Sequence, residues 1–419
     1  MNYLAVLGRQ PEISIAELEA ITGVQWQQMA FSGRVASARR HGRGALNLAL
    51  PRSGFPSKGD LLPLSIDHLG GVMKLAVKLE AKPLEYLQKL PEGKLTIGVS
   101  DYSKGASRKS ATDEALKLKK ILVRHGRSVR VVENRDAVLT TATSLHNGLS
   151  GKNERKVELI KLDDDWYKVV GVQDIDAYSK RDQARPARDA KVGMLPPKLA
   201  QILINLCGPL KPGSVVLDPF CGTGVVLQEA LLMGYRAYGT DISERMVDYS
   251  KKNIKWLLKT SNSFLEGSIG GCYRDRKGAS PVKTGASDPV PEKEEFEVSQ
   301  GDATSFTWQQ PIDAVACEGY LGRPFSKIPT EIELKEQKQE CRAIVLGFLR
   351  NLSEQIKEDT PVVIAVPAWL RENTQYERLE IIDEIEKLGY NVNNKSREGL
   401  LYARTKQIVA RDILILRKK

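Results

Sequence analysis

Cysteine and histidine are scarce, with five of the first and four of the second among 419 residues. Cys207, Cys221, Cys272, Cys317 and Cys341 form no CxxC pair and have no histidine at metal-ligand spacing. Neither a metal site nor a disulfide framework is therefore expected. Cys221 and Cys317 lie inside motifs, but no basic pattern nearby argues for a lowered thiol pKa, and both read as small buried side chains. Long apolar runs are also missing: none reaches the ~18 residues of a membrane-spanning helix. Met1 to Arg9 make a short strand pattern without a signal peptide's charged start and long apolar region, so a cytoplasmic protein is expected.

Charge is present but uneven. Residues 1–200 hold 33 Lys and Arg against 22 Asp and Glu, whereas residues 201–419 hold 30 of each, so the net charge of +11 belongs to the first half. This separates a basic half suited to a polyanion from a neutral half suited to chemistry. The length allows two or three domains.

The neutral half is organised around Val215-Val216-Leu217-Asp218-Pro219-Phe220-Cys221-Gly222-Thr223-Gly224. Three apolar residues make a buried strand, the acid, proline and glycines force a tight turn, and a helical pattern resumes from Val225 to Met233. Glycine lets backbone N–H groups approach a ligand closely. The order of residues matches neither a phosphate loop nor the dinucleotide fingerprint. A second strand ends at Tyr238-Gly239-Thr240-Asp241, where a doubly wound sheet places a carboxylate on a ribose diol. Gln300-Gly301-Asp302-Ala303 offers a further acid, suited to an adenine amino group. With Asp218 near a cationic, amino-acid-bearing end, the three acids outline S-adenosylmethionine.

Asp-Pro-Phe-Cys-Gly-Thr-Gly followed by Gly-Thr-Asp resembles the cofactor-binding half of class I methyltransferases, in the branch of THUMP-bearing tRNA guanine-N2-methyltransferases, the archaeal and eukaryotic type that acts on guanosine 10. The resemblance implies an α/β fold: a Rossmann-like class I methyltransferase domain preceded by an α/β, THUMP-containing RNA-binding half. It implies S-adenosylmethionine held by Asp218, Phe220, Gly222, Gly224, Asp241, Ile242, Asp302 and Ala303, and tRNA as the substrate.

In chain order, Tyr3 to Gly8 reads as a strand and Ser14 to Ile21 as a helix with Ser14 and Glu17 at capping-box spacing. Residues 32–60 suggest strands and loops. Strands follow at His68–Ala76, Lys94–Ser100 and Ser128–Val132. An amphipathic helix is expected from Ala111 to His125, with Lys117, Lys119, Lys120 and Arg124 on its polar side. Val157–Leu162 and Trp166–Asp174 make a hairpin. The succession is similar to a THUMP domain. Tyr178 to Asp189, followed by Leu195-Pro196-Pro197-Lys198-Leu199-Ala200, resembles the arginine-rich linker and first helix of the same family. Expected domains are an N-terminal module (1–64), the THUMP-like domain (65–175), the linker (176–192) and the methyltransferase domain (193–419), with a flexible insertion at about 260–298. Arg181, Arg185 and Arg188 of the linker, with Lys120 and Arg124, are expected on RNA phosphates.

Chemistry is expected after the strand Asp313–Cys317, at Glu318-Gly319-Tyr320-Leu321-Gly322-Arg323-Pro324. In the resembling amino-methyltransferases this position reads Asp or Asn, two prolines and an aromatic residue, which accept from the exocyclic amine and stack on the flipped base. Here Glu318 is the acceptor, the prolines are missing, and Tyr320 follows two residues after the acid rather than three. The remaining pattern is a helix at Ile332–Lys357, a strand at Pro361–Pro367, a helix at Arg378–Leu388, and a last strand at Ile408–Leu416 whose hairpin partner is Leu400–Arg404. Seven strands result. Two other readings stay open: an adenine-N6-methyltransferase on RNA or DNA, and a catalytically silent RNA-binding protein that kept the fold. A small activator subunit is also left open.

Overall fold

The computed structural model describes residues 3–29, 48–51, 64–189, 194–268, 295–372, 374–394, 400–405 and 407–419. Most of the 32–60 stretch, residues 269–294 of the expected insertion with Cys272, and Gly193 lie outside the described residues. No helix among the described residues is long and apolar enough to cross a membrane. The chain divides into two compact units, Met1–Asp176 and Ala177–Lys419.

The N-terminal unit runs β1 (Tyr3–Leu7), α1 (Pro11–Thr22), β2 (Trp26–Met29), β3 (Leu48–Pro51), β4 (Val72–Lys78), α2 (Pro83–Gln88), β5 (Leu95–Asp101), α3 (Arg108–Arg124), β6 (Val129–Val131), α4 (Thr141–His146), β7 (Lys156–Leu162) and β8 (Asp165–Val172). Helix α5 (Ile175–Gln183) begins at the boundary. The strands form one sheet in the order β2-β3-β1-β4-β8-β7-β5-β6. Strand β5 runs parallel to both β6 and β7, while the other neighbours are antiparallel. Every residue of β5 is buried, the burial expected of a parallel strand covered on both faces. One cover is α3, whose stripe of Ala111, Ala115, Leu118 and Leu122 faces the core at helical spacing. Its Lys117, Lys120 and Arg124 are exposed, and Lys119 is half-buried.

Ser14 and Glu17 do not form the expected cap. Helix α1 starts at Pro11, and Gln10 precedes it without a side-chain cap. Glu17, fully buried, instead accepts from Gly70 N and Gly71 N, each at 2.8 Å, and Ser14 Oγ donates to Gly71 O at 2.8 Å. The pair clamps the turn that enters β4. A Cβ on Gly71 would lie 2.6 Å from Ser14 Oγ and 2.9 Å from Ser14 Cα, so the clamp closes only on glycine.

The C-terminal unit runs α6 (Pro197–Leu206), β9 (Val215–Asp218), α7 (Val225–Leu232), β10 (Arg236–Asp241), α8 (Glu244–Ser268), β11 (Phe296–Gln300), β12 (Ala314–Glu318), α9 (Glu331–Ser353), β13 (Pro361–Leu370), β14 (Tyr376–Arg378), α10 (Ile382–Lys387), β15 (Tyr390–Val392), β16 (Leu401–Tyr402) and β17 (Val409–Lys418). The main sheet order is β11-β10-β9-β12-β13-β17-β15, with β14 on β13 and β16 on β17. Strands β9 to β13 run parallel and β17 runs antiparallel to β13 and β15. Five parallel strands followed by a reversed strand are the arrangement expected from the sequence. The core joins Val345, Phe348, Leu349 and Leu352 of α9 to Cys317, Val362 and Ile364 of the central strands.

Two expectations change here. The helix expected at Arg378–Leu388 starts only at Ile382, because Tyr376–Arg378 pair with Ala368–Leu370 as a strand. Leu401–Tyr402 does pair with β17, at Asp412 and Arg411, but the rest of that edge is taken by Tyr390–Val392.

The N-terminal unit also encloses a buried ion pair. Lys74 on β4 and Glu158 on β7 are 1% and 0% exposed and 2.6 Å apart. Ser100 and Ser144 donate to the two Glu158 oxygens, each at 2.6 Å, and Lys74 Nζ also donates to Leu139 O at 2.8 Å. Removing one partner strands the other charge, which costs ~3–5 kcal/mol. Lys74→Met and Glu158→Leu should each lower the free energy of unfolding by that amount, and the double variant should recover much of it. A loss under 1 kcal/mol in either single variant, read by denaturant unfolding, would show that the pair does not hold the sheet to α4.

Candidate active site

Parallel strands deliver their C-terminal residues to one edge of a sheet, where open α/β folds bind ligands. Here β9, β10 and β12 end on Asp218, Asp241 and Glu318, and Asp302 follows β11. All four line one cavity of about 1100 Å³, together with Phe220, Gly222, Ile242, Ala303 and Tyr320. Of the residues expected on cofactor or base, only Gly224 is absent from the cavity wall. Its φ of 78° starts α7, and a Cβ there would lie 2.8 Å from Ser250 Oγ. Gly224 therefore serves close packing of α7 on α8.

The three aspartates are partly committed to the backbone. Asp218 Oδ1 accepts from Phe220 N at 3.2 Å. Asp241 accepts from Gly222 N and Ser243 N, both at 2.9 Å, which ties the glycine turn to the end of β10. Asp302 Oδ1 accepts from Thr304 N at 2.9 Å and Thr304 Oγ1 at 2.7 Å. These bonds fix the carboxylates and leave lone pairs for a ligand. Phe220 is held edge-on by Phe348, with ring centroids 5.2 Å apart. Ile242 is 69% exposed beside Asp241, apolar surface against which a flat ring can lie.

Burial pushes Asp218 well above the usual carboxylate range; Phe220 N–H opposes this, and Asp241 and Glu318 add to it. Clustered acids are unfavourable; Arg411 offsets Glu318, and a cationic ligand would relieve Asp218. The acid set, the apolar shelf and the cavity size fit the S-adenosylmethionine expected from the sequence. Cys221 and Cys317 are buried thiols pushed well above their ordinary pKa by that burial.

Glu318 is 17% exposed and is ion-paired with Arg411 of β17, whose side chain is 7% exposed. Tyr320 OH donates to Glu340 of α9 at 3.1 Å. Burial, then the Glu340 bond, pushes the phenol up to about 12. The turn lacking the proline pair is pinned to α9: Arg323 N donates to Gln337 Oε1 at 2.8 Å, and Gly322 sits at φ 82° against the Gln337 side chain. Arg411, Gln337 and Glu340 carried no signal in the sequence, since each acts across a long stretch of chain.

The linker arginines part ways. Arg188 is exposed. Arg181 is 8% exposed and grips Glu229 of α7 with two bonds, 2.7 and 3.2 Å, over the Tyr178 ring at 4.4 Å. Arg185 is 3% exposed and points Nη1 at Thr223 Oγ1, 3.4 Å away. Asn253 of α8 joins Ala187 N and O to Thr223 O. Arg181 and Arg185, expected on phosphate, are thus buried supports of the glycine turn, because an internal carboxylate and hydroxyl offer them partners that water-exposed phosphate would have to displace.

Two outcomes are expected. S-adenosylmethionine binding should release a proton at pH values between the ordinary carboxylate range and Asp218's raised value, and affinity should fall as pH drops through that value. Calorimetry in buffers of different ionisation enthalpy measures this, and Asp218→Asn should abolish the release and weaken binding by about 10- to 100-fold. Arg181→Met should cost ~3–5 kcal/mol of stability and weaken cofactor binding, while the salt dependence of RNA binding stays unchanged; a reduced salt slope would return Arg181 to the RNA surface.

The chain matches the family model described as DNA methylase over residues 140–252. It is 47% identical over 76 residues to the tRNA (guanine(10)-N2)-dimethyltransferase of Methanothermobacter thermautotrophicus, covering 18% of this chain and 22% of that one. It is 45% identical over 62 residues to the enzyme of the same name from Pyrococcus abyssi, covering 15% and 18%. The matched stretch thus spans about a fifth of the length of these relatives. The solved structure of TrmN from Thermus thermophilus aligns with all of both chains at 15% identity and a TM-score of 0.41. The strong sequence likeness is therefore local, and it is to enzymes named for methyl transfer to guanine N2 of tRNA.

Proposed function

We propose that the chain is a tRNA methyltransferase that moves a methyl group from S-adenosylmethionine to the exocyclic N2 of a guanosine, in the cytoplasm. The observation that carries this reading is the gathering of Asp218, Asp241, Asp302, Glu318 and Tyr320 on one cavity at the parallel strand ends. The local likeness to tRNA guanine-N2 dimethyltransferases supports the choice of base.

When bound, S-adenosylmethionine supplies an electrophilic methyl carbon on a sulfonium. Glu318 accepts from the amine so that the nitrogen lone pair faces that carbon, and Tyr320 stacks on the base. The nitrogen lone pair forms the new N–C bond as the C–S electron pair returns to sulfur, and the amine's surplus proton leaves through Glu318 to water. Residues 65–175 are assigned to RNA binding, with the exposed Lys120 and Arg124 of α3 on phosphates and Arg188 from the linker. A second reading, methylation of an amino group on a DNA base, is favoured by the family model over residues 140–252.

The test is transfer of labelled methyl to tRNA lacking the modification, followed by identification of the nucleoside. N2-methylguanosine is expected, and N6-methyladenosine or label on DNA would move the assignment to the second reading. Glu318→Ala should lower the rate by about 10²-fold or more; rates within a few-fold of wild type for both Glu318→Ala and Tyr320→Ala would remove these residues from the chemistry. RNA affinity should fall steeply with salt, and Lys120→Ala with Arg124→Ala should reduce the log–log slope by about 2.

A further inference from the structure

Two ion pairs have both members on the cavity wall: Arg245–Asp189, whose arginine is 61% exposed, and Glu318–Arg411, in which both side chains are largely buried. Arg411 donates through Nε to Glu318 Oε1. Among the described residues neither of its Nη groups donates to a protein acceptor, and Glu318 Oε2 accepts from none. A buried guanidinium with free donors beside a carboxylate with a free acceptor is a matched donor–acceptor edge. It complements an amine next to a ring nitrogen, as N2 stands next to N3 in guanine.

Resting on the proposed reaction, we propose that Arg411 is a positioning residue of the acceptor site: it fixes Glu318 through Oε1, leaves Oε2 for the amine being methylated, and donates through Nη to the base's adjacent ring nitrogen. Backbone geometry supports the role. Arg411 lies on β17 opposite Pro367 of β13, and Glu318 lies opposite Ala365 of the same strand, so β13 sets their separation. The pair also governs proton traffic. The new N–C bond leaves a proton on the amine, and only an ionised Glu318 takes it. Burial raises the Glu318 pKa and Arg411 opposes that rise. The titratable and charged groups around it include Asp218 on β9, Asp241 on β10, Cys317, Tyr320 and Arg323 on its own strand and turn, and Glu340 on α9, while β13 contributes Ala365.

Removing Arg411 raises the Glu318 pKa further. Activity, present above that pKa, should then be lost at a higher pH as the solution is acidified. The experiment measures pH–rate profiles and S-adenosylmethionine affinity for wild type, Arg411→Lys, Arg411→Met, Glu318→Gln and the Glu318→Gln/Arg411→Met double variant. The substrate is tRNA carrying guanosine or 3-deazaguanosine at the modified position. Arg411→Met should slow transfer at neutral pH about tenfold or more, move the acid limb upward and leave cofactor affinity within about twofold, with Arg411→Lys keeping the limb near wild type. The 3-deaza substitution should slow wild type about tenfold and leave Arg411→Met unaffected. The double variant carries no stranded charge and controls for folding; it should stay as slow as Glu318→Gln. An unmoved acid limb, equal sensitivity of both proteins to 3-deazaguanosine, or a double variant at wild-type rate would overturn the role of Arg411. No N2-methylguanosine from wild type would instead overturn the functional reading beneath it.

Discussion

A carboxylate withdrawn from water has to find donors inside the protein, because an unpaired buried charge costs more than most single contacts return. Four acids of this chain meet that requirement, with backbone N–H groups or with cationic and hydroxyl side chains, and each solution places an element. Glu17 takes two backbone N–H groups and fixes the entry to β4. Glu158 takes a lysine and two serines and joins three strands to α4. Glu229 takes Arg181 and secures α7. Asp241 takes the N–H groups of Gly222 and Ser243 and sets the glycine turn. Asp218 is the exception: one N–H, nearby acids and deep burial leave it short of positive charge. That deficit is what a cationic ligand satisfies.

How much of this the sequence carries depends on how far apart the partners lie. The glycine turn, the acids at strand ends and the first strand–helix alternation are local patterns, and they are where the chain order places them. Ser14 and Glu17 mislead because spacing of three residues serves a cap and a tertiary clamp equally, and only the position of Gly70 and Gly71 decides between them. Arg181 misleads for the same reason at longer range. Its partner Glu229 is 48 residues away, and nothing in Tyr-Ser-Lys-Arg-Asp announces it. Arg411 is 93 residues from Glu318 and sits in a strand whose sequence, Val-Ala-Arg-Asp-Ile-Leu-Ile-Leu-Arg-Lys, gives no sign of that partner.

Basic residues therefore divide by whether the fold has an acid to give them. In the linker, Arg181 has Glu229 and Arg185 has Asp182 and Thr223, and both are buried. On α3, the small-residue stripe of Ala111 and Ala115 brings the helix close to β5, and the opposite face keeps Lys117, Lys120 and Arg124 in water. Net charge singles out the half of the chain expected to meet a polyanion. Burial then removes from that count the cations that the protein uses itself.

The variant motif after β12 follows the same logic. Two prolines stiffen a turn by fixing φ; Gly319 and Gly322 loosen it. Stiffness is restored from outside: Gln337 accepts from Arg323 N, its side chain fills the space over Gly322, and Glu340 holds the Tyr320 hydroxyl. The longer acid is handled likewise, because a glutamate has one more rotatable bond than an aspartate and Arg411 immobilises it. Helix α9 and strand β17 thus supply, through side chains far along the chain, the rigidity that a proline pair would supply within the turn. A motif judged by its own residues alone reads as decayed. With its supports included, it is a turn held in place by α9, next to an acid held by β17, and all of it lies on the wall of one cavity.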